Sequence, residues 1–430
     1  MTFATGTQTG TYRGGPASRI PAVTFDRQLK GLTWLAFKGF LLSLATFGIY
    51  RFWYVTNLRR FFWERTAVDG SPAEYTGTGK ELFLGFLVAL AILVPVYLGL
   101  FAASLVVPAI APFSAAISFV FLFLLGQFAI YRGRRYRAMR TLWRGIRLGQ
   151  DGSGLTYAAL AGGWWLLTLC TFGLAFPFMR ANLERYRINH TLVGTSRMHS
   201  TARGRSLLIP WLLLYVVGLG PLIALGIALL IAADFSVPTD LLVPKPGGKA
   251  GQTMFNPAYA TSGIGHIAQA IGFVAMVCVP AALLLIPFYR ARETRAFMGA
   301  ASLGSTSLAS TLRARQFYWP YIVYMLSVLG SLAVLGVAAG LLVFAAQASG
   351  DTAILRWLVV PVYLVGAPLF AVLYVRVVQA RLWAAVASST AVTDPEALDA
   401  VLASARGAGS GLQEGLADAL DVGGALQIGL

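Results

Sequence analysis

The stretch ELFLGFLVALAILVPVYLGLFAASLVV, Glu81–Val107, carries a single charge in 27 residues, and its reading decides the class of fold. An α-helix rises ~1.5 Å per residue, so roughly twenty apolar residues cross the ~30 Å hydrocarbon core of a bilayer. Further apolar segments fall at about 32–50, 113–131, 156–179, 206–233, 264–289, 318–346 and 355–375. Across its 430 residues the chain is 57% hydrophobic and 12% charged, with mean hydropathy +0.69. A soluble domain carries roughly 25% charged residues, so a large soluble enzyme is excluded. The alternating segments of roughly ten residues that mark a membrane β-barrel are missing. The sequence therefore predicts an all-α polytopic membrane protein.

Charge sets the topology. There are 34 Lys+Arg against 17 Asp+Glu, a net charge of +17. The basic residues sit in short loops between apolar segments, where the positive-inside rule expects them on the cytoplasmic side. The predicted partner is thus the bilayer, through anionic headgroups on that side, and not nucleic acid. Seven arginines within Arg132–Arg147 precede segment 156–179, and six within Arg180–Arg205 follow it. A simple crossing there would strand one cluster outside. If 32–50 and 156–179 are instead broken segments that enter and leave on the cytoplasmic face, 30 of the 34 basic residues lie inside. About six crossings, two re-entrant segments and cytoplasmic termini follow. The polar first 25 residues show no cleaved signal peptide.

An ungapped repeat treats the two broken segments alike. Residues 41–82 align with 166–207 at an offset of 125, with 15 identities in 42 positions, among them Asn57/Asn182, Thr66/Thr191 and Gly79/Gly204. A weaker copy at an offset of 110 matches Pro177-Phe178 and Arg185 to Pro287-Phe288 and Arg295. The expected organisation is a disordered cytoplasmic N-terminus (1–25), three membrane repeats (26–131, 132–289 and 290–383) and a cytoplasmic tail (384–430). The second repeat would hold an outer loop at 234–263. Asp69-Gly70, Asp151-Gly152 and Gly194-Thr195 read as turns of small cytoplasmic β-hairpins.

Several of these stretches resemble the bacterial YjgN-like inner-membrane family, the domain of unknown function 898. They are Leu44-Ala-Thr-Phe-Gly-Ile-Tyr50 with Arg59-Arg-Phe61, Tyr75-Thr-Gly-Thr-Gly-Lys-Glu-Leu-Phe-Leu-Gly-Phe86, Thr141-Leu-Trp-Arg-Gly-Ile-Arg147, Leu169-Cys-Thr-Phe-Gly-Leu174 and Glu414–Gly423. The similarity covers most of residues 25–425 and implies a multi-pass protein of the bacterial inner (cytoplasmic) membrane. It implies no activity, substrate or catalytic residue.

The residues offer little catalytic chemistry. There is no HExxH and no P-loop, and three histidines with Cys170 and Cys278 in separate segments give no metal spacing. No catalytic residue, cofactor or metal is predicted, and the chain is not read as an enzyme. Thr46-Phe47-Gly48 and Thr171-Phe172-Gly173 are candidate helix breaks lining a pathway, because Gly admits unusual backbone and Thr can satisfy a freed carbonyl. The alternative is that these glycines serve close helix packing. Lys38, inside an apolar segment, is either an anion contact on that pathway or a side chain that snorkels to the headgroups. Arg132, Arg134, Arg135, Arg137, Arg180, Arg185, Arg290 and Arg295 are candidate anionic-lipid contacts. Two functions follow: a permease or channel-like transporter for a small neutral or amphiphilic solute, or a lipid-organising or interaction scaffold with an arginine-rich cytoplasmic face.

Overall fold

Apolar composition makes helices wherever a run is long enough to satisfy its own backbone in lipid. In the computed structural model, which describes residues 23–107, 111–236, 239–247, 252–349, 366–394, 398–399 and 401–403, five helices are long and apolar enough to cross a membrane. These are α3 (Gly79–Val106), α4 (Ser114–Met139), α9 (Gly263–Gly299), α10 (Ala314–Ser349) and α11 (Gly366–Ser389). α7 (Arg205–Gly218) and α8 (Gly220–Ala232) meet at a 52° bend and make a sixth span if taken as one. The bend falls at Gly220-Pro221, where proline has no amide to continue the helical ladder. By the length and composition of these helices the chain is a membrane protein. Arg356, Lys249, residues 1–22 and the tail from 404, with the Glu414–Gly423 stretch, lie outside the described residues.

The two segments read as broken are helical hairpins. α1 (Leu32–Ala45) turns back into α2 (Arg51–Glu64), and α5 (Gly154–Cys170) into α6 (Phe176–Asn189). At 14 and 17 residues, α1 and α5 reach only about 21 and 26 Å.

The all-α expectation fails on the sheet. Ten strands form one antiparallel, nearly closed, barrel-like sheet. Four hairpins share one plan: a three-residue strand, a two-residue turn and a five-residue strand. They are β2 (Thr66–Val68) with β3 (Ser71–Tyr75), β4 (Thr141–Trp143) with β5 (Ile146–Gln150), β6 (Thr191–Val193) with β7 (Ser196–Ser200), and β10 (Ala301–Leu303) with β11 (Thr306–Ser310). Each longer strand pairs with the next hairpin, β3 with β4, β5 with β6 and β7 with β10. β1 (Val23–Phe25) pairs with β2, β12 (Thr390–Val392) pairs with β11, and β12 returns beside β1. The loop between α8 and α9 holds a separate pair, β8 (Leu242–Pro244) and β9 (Thr253–Phe255). The small hairpins expected from sequence are thus joined into one sheet. A lone hairpin is marginal in water and leaves an unpaired edge, and joining removes both costs.

Local chemistry explains the repetition. Asp69-Gly70 has φ of 47° and 72°, and Arg144-Gly145 has 50° and 73°, the pair of positive φ values a type I′ turn requires. The second turn is therefore Arg144-Gly145, and the expected turn at Asp151-Gly152 lies beyond β5. Gly152 serves packing instead, since a Cβ there would sit 2.0 Å from the Tyr131 hydroxyl. Thr66, Thr141, Thr191 and Thr390 each open a strand, and each hydroxyl donates to the carbonyl four residues back at 2.7, 2.8, 2.9 and 2.9 Å. The last turn of each preceding helix is closed this way. Gly79 and Gly204 recur because a Cβ would meet the Cα of Trp53 at 2.8 Å or of Phe178 at 2.7 Å, where one helix crosses the start of the next.

Every hairpin joins the end of one helix to the start of another, so the whole sheet lies at one end of the helices. Its interior is filled. Val68, Trp143, Val193, Leu303 and Val392, each third in its strand, belong to one apolar cluster with Ile146, Leu148 and Leu308. Leu398 packs into this cluster, and the Leu402 carbonyl accepts from the Thr195 amide at 3.1 Å, so the C-terminal segment closes the turn end. The sheet is a packed core, as in other small barrels.

Candidate functional site

The Thr-Phe-Gly motifs form the tips of the two helical hairpins. Thr46 Oγ1 donates to the Leu42 carbonyl at 2.7 Å and accepts from the Tyr50 amide at 2.9 Å, so one hydroxyl closes α1 and opens α2. Thr171 repeats this with the Leu167 carbonyl at 2.8 Å and the Ala175 amide at 3.1 Å. Phe47 and Phe172 both take φ of 50°, Gly48 takes 89° and Gly173 takes 95°. Positive φ at both glycines is the reason only glycine suits them. Phe47 and Phe172 project outward, 99% and 65% exposed. Gly173 is held by α7, with its carbonyl accepting from Trp211 Nε1 at 3.0 Å, whereas a Cβ on Gly48 would meet nothing within 4 Å. α1 packs on α2 and α5 on α4 and α6, so the two turns belong to separate hairpins. Lys38 is exposed, midway along α1 and about 12 Å along the axis from Thr46.

The arginines gather where helices meet the sheet, and three carboxylates sort them into two kinds. Glu81 at the start of α3 accepts from Tyr136 at 2.7 Å and pairs with Arg140 at 2.9 Å, both from the end of α4. Glu184 on α6 pairs with Arg134 of α4 at 3.5 Å and with Arg187 at 2.6 Å. Glu293 on α9, 4% exposed, pairs with Arg180 of α6 at 2.6 Å and with Arg290 at 3.0 Å. The result is a relay of ion pairs, α3 to α4 to α6 to α9. Burial works against ionisation of Glu184, yet the fields of Arg187, Arg134 and Arg180 outweigh it and hold its pKa below the ordinary carboxylate range. Arg134 and Arg180, read from sequence as lipid contacts, thus each pair across two helices, while the half-exposed Arg290 pairs with Glu293 of its own helix.

Arg132, Arg185 and Arg295 have no carboxylate within ion-pair distance among the described residues. Of the lipid candidates, Arg185 and Arg295 are exposed, and Arg132 is half-buried with its guanidinium 5.9 Å from the Phe128 ring. Arg135 and Arg137 are half-buried and engaged within the fold. Two crevices collect further ones. The first, about 760 Å³, lies between the first turns of α7, the last turns of α9 and the end of β11, with Arg292 and Arg295 beside Ile209, Pro210, Leu213 and Phe288. The second, about 770 Å³, lies between the first turns of α10, the last turns of α11 and β1, with Arg27, Arg315 and Arg381 beside Phe25, Trp319 and Pro320. Sequence reading left Arg27, Arg292, Arg315 and Arg381 out of the site. They come from distant segments, and only the closing of the sheet brings them together. Among the described residues no three His, Cys, Asp or Glu side chains converge as a metal site.

Helical hairpins and spans set on one packed antiparallel sheet, with a belt of arginine at the junction, define a membrane protein of mixed helix and sheet. One family description, a bacterial protein of unknown function designated DUF898, matches residues 21–419, and the chain belongs to that family. Searches of the curated proteins and of the solved structures returned no match.

Proposed function

We propose that this protein is a lipid-organising protein of the bacterial inner membrane, whose sheet end and both termini face the cytoplasm and gather anionic lipid. The observation that carries the reading is the belt of exposed arginines at the helix–sheet junction, which have no carboxylate within ion-pair distance among the described residues. Arg185, Arg203, Arg292, Arg295, Arg313 and Arg315 are all exposed there. The junction is where apolar helix gives way to polar chain, which is the depth of headgroups. A basic residue at that depth is worth ~1 kcal/mol towards an anionic leaflet. The positive-inside rule orients the same end inward. The recurring hairpin, with its opening threonine and close-packed glycine, supports an origin of the units by duplication.

Two observations favour this reading over a permease. The hydroxyls of Thr46 and Thr171 are spent within turns, and the sheet's axis is filled by Trp143 and Leu398. The reading adopted assigns no reaction.

Spin-labelled lipids test it. In vesicles of mixed phosphatidylglycerol and phosphatidylcholine, the protein is expected to immobilise a larger fraction of labelled phosphatidylglycerol. The preference should shrink as salt rises, because exposed charges are screened over ~8–10 Å near physiological ionic strength. Equal immobilised fractions of the two lipids at low salt would refute the reading.

A further inference from the structure

The two crevices are the same place in successive units of the sheet. Ser206, Ile209 and Pro210 of the first correspond, at an offset of 110, to Gln316, Trp319 and Pro320 of the second. Arg292, Ala296 and Gly299 correspond, at an offset of 89, to Arg381, Ala385 and Ser388. In each, a helix that leaves one hairpin stands beside a helix that enters the next strand. In each, an arginine occupies the same position on the entering helix. The wall on the leaving helix is apolar and open to the side of the bundle, with Ile209 80% exposed and Trp319 58% exposed. Arginines lie at the sheet end of the same crevice, and none of them has a carboxylate within ion-pair distance among the described residues. An apolar wall facing the hydrocarbon and paired guanidiniums at headgroup depth match one kind of molecule, an amphiphile with an anionic head. Guanidinium suits phosphate in particular, because its planar fork can donate two parallel hydrogen bonds. The volumes fall within the ~300–1,000 Å³ of ligand pockets, enough for a headgroup and the upper part of a chain.

We propose that each crevice seats one anionic phospholipid, its phosphate against Arg292 and Arg295 in the first and Arg315 and Arg381 in the second. An acyl chain then runs along α7 or α10. This assignment rests on the reading of the protein as a partner of anionic lipid, and it adds two defined sites to a general preference.

Native mass spectrometry of the full chain, titrated with phosphatidylglycerol or phosphatidylcholine, tests it. Two tightly held phosphatidylglycerol molecules are expected, with no such pair for phosphatidylcholine. Arg292→Gln with Arg295→Gln should weaken one site about thirtyfold, the factor that two juxtamembrane basic residues supply. Arg315→Gln with Arg381→Gln should do the same to the other, while Lys245→Gln, exposed on the loop between α8 and α9 and away from the arginine belt, leaves both intact. A thermal midpoint close to that of the parent chain shows that the variants are folded. Excess inorganic phosphate should not displace the lipid. Displacement by phosphate would overturn the assignment by showing that the apolar wall contributes nothing. Two lipids retained by the variant lacking all four arginines, with the spin-label preference intact, would overturn the crevices and leave the general reading standing. Loss of that preference in the parent chain would remove both.

Discussion

Glu184→Gln is expected to destabilise the folded protein by about 3 kcal/mol, because removing one partner of a largely buried ion pair leaves the others uncompensated. Glu184 is 12% exposed, Arg187 13% and Arg134 25%, so some solvent remains and the lower end of the ~3–5 kcal/mol range applies. An exposed pair behaves differently. Asp399, 70% exposed beside Arg144, contributes at most ~1 kcal/mol, and Asp399→Asn should barely move the thermal midpoint. Acid provides a second readout. The pKa of Glu184 is lowered on folding, so its contribution is fully present above the unfolded carboxylate value and fades as pH falls below about 4. The parent chain should therefore lose stability more steeply on acidification than Glu184→Gln does. Parallel pH profiles, or an unchanged midpoint at neutral pH, would contradict the stapling role.

Trp143→Ala should cost ~3–5 kcal/mol, as for other buried tryptophans. Trp143 is 6% exposed and packs with Val392 and Leu398 inside the sheet, and its indole N–H donates to the Val68 carbonyl at 3.1 Å. Truncation leaves a void in the interior and a carbonyl without its donor. Since Leu398 rests on this side chain, the segment around it should also become a preferred site of proteolysis. Trp143→Phe, which keeps most of the volume, should lose the hydrogen bond and about 1 kcal/mol. Equal protease resistance in Trp143→Ala and the parent chain would show that the C-terminal segment is held by something else.

The long helices were legible because a run such as Glu81–Val107 admits one reading at bilayer length. The turns at Asp69-Gly70 and Gly194-Thr195 were legible because positive φ needs glycine, asparagine or aspartate. The sheet was not. Strands of three and five residues show no alternation long enough to read, and their pairing joins residues as far apart as Met198 and Leu303. Arg144 hid a turn for a related reason. Its left-handed backbone is offset by bonds from its guanidinium to Asp69 at 2.7 Å and Asp399 at 2.6 Å, the second 255 residues away. The arginine cluster was legible as charge, but its division into staples and free cations was not. Arg132 and Arg134 are two residues apart in sequence, and only the fold sets Arg134 against Glu184.

The lipid reading requires that the sheet end of the protein, with its arginine belt, face the cytoplasm. In a background of Cys170→Ser and Cys278→Ser, single cysteines at Ser71, Ser196 and Ser307 place a thiol on β3, β7 and β11, and one at Thr239 places it at the opposite end of the spans. An impermeant thiol reagent applied to intact cells is predicted to label the Thr239 position alone, and to reach the other three only after the membrane is opened. Labelling at Ser196 in intact cells, with Thr239 protected, would reverse the orientation and take the cytoplasmic lipid reading with it.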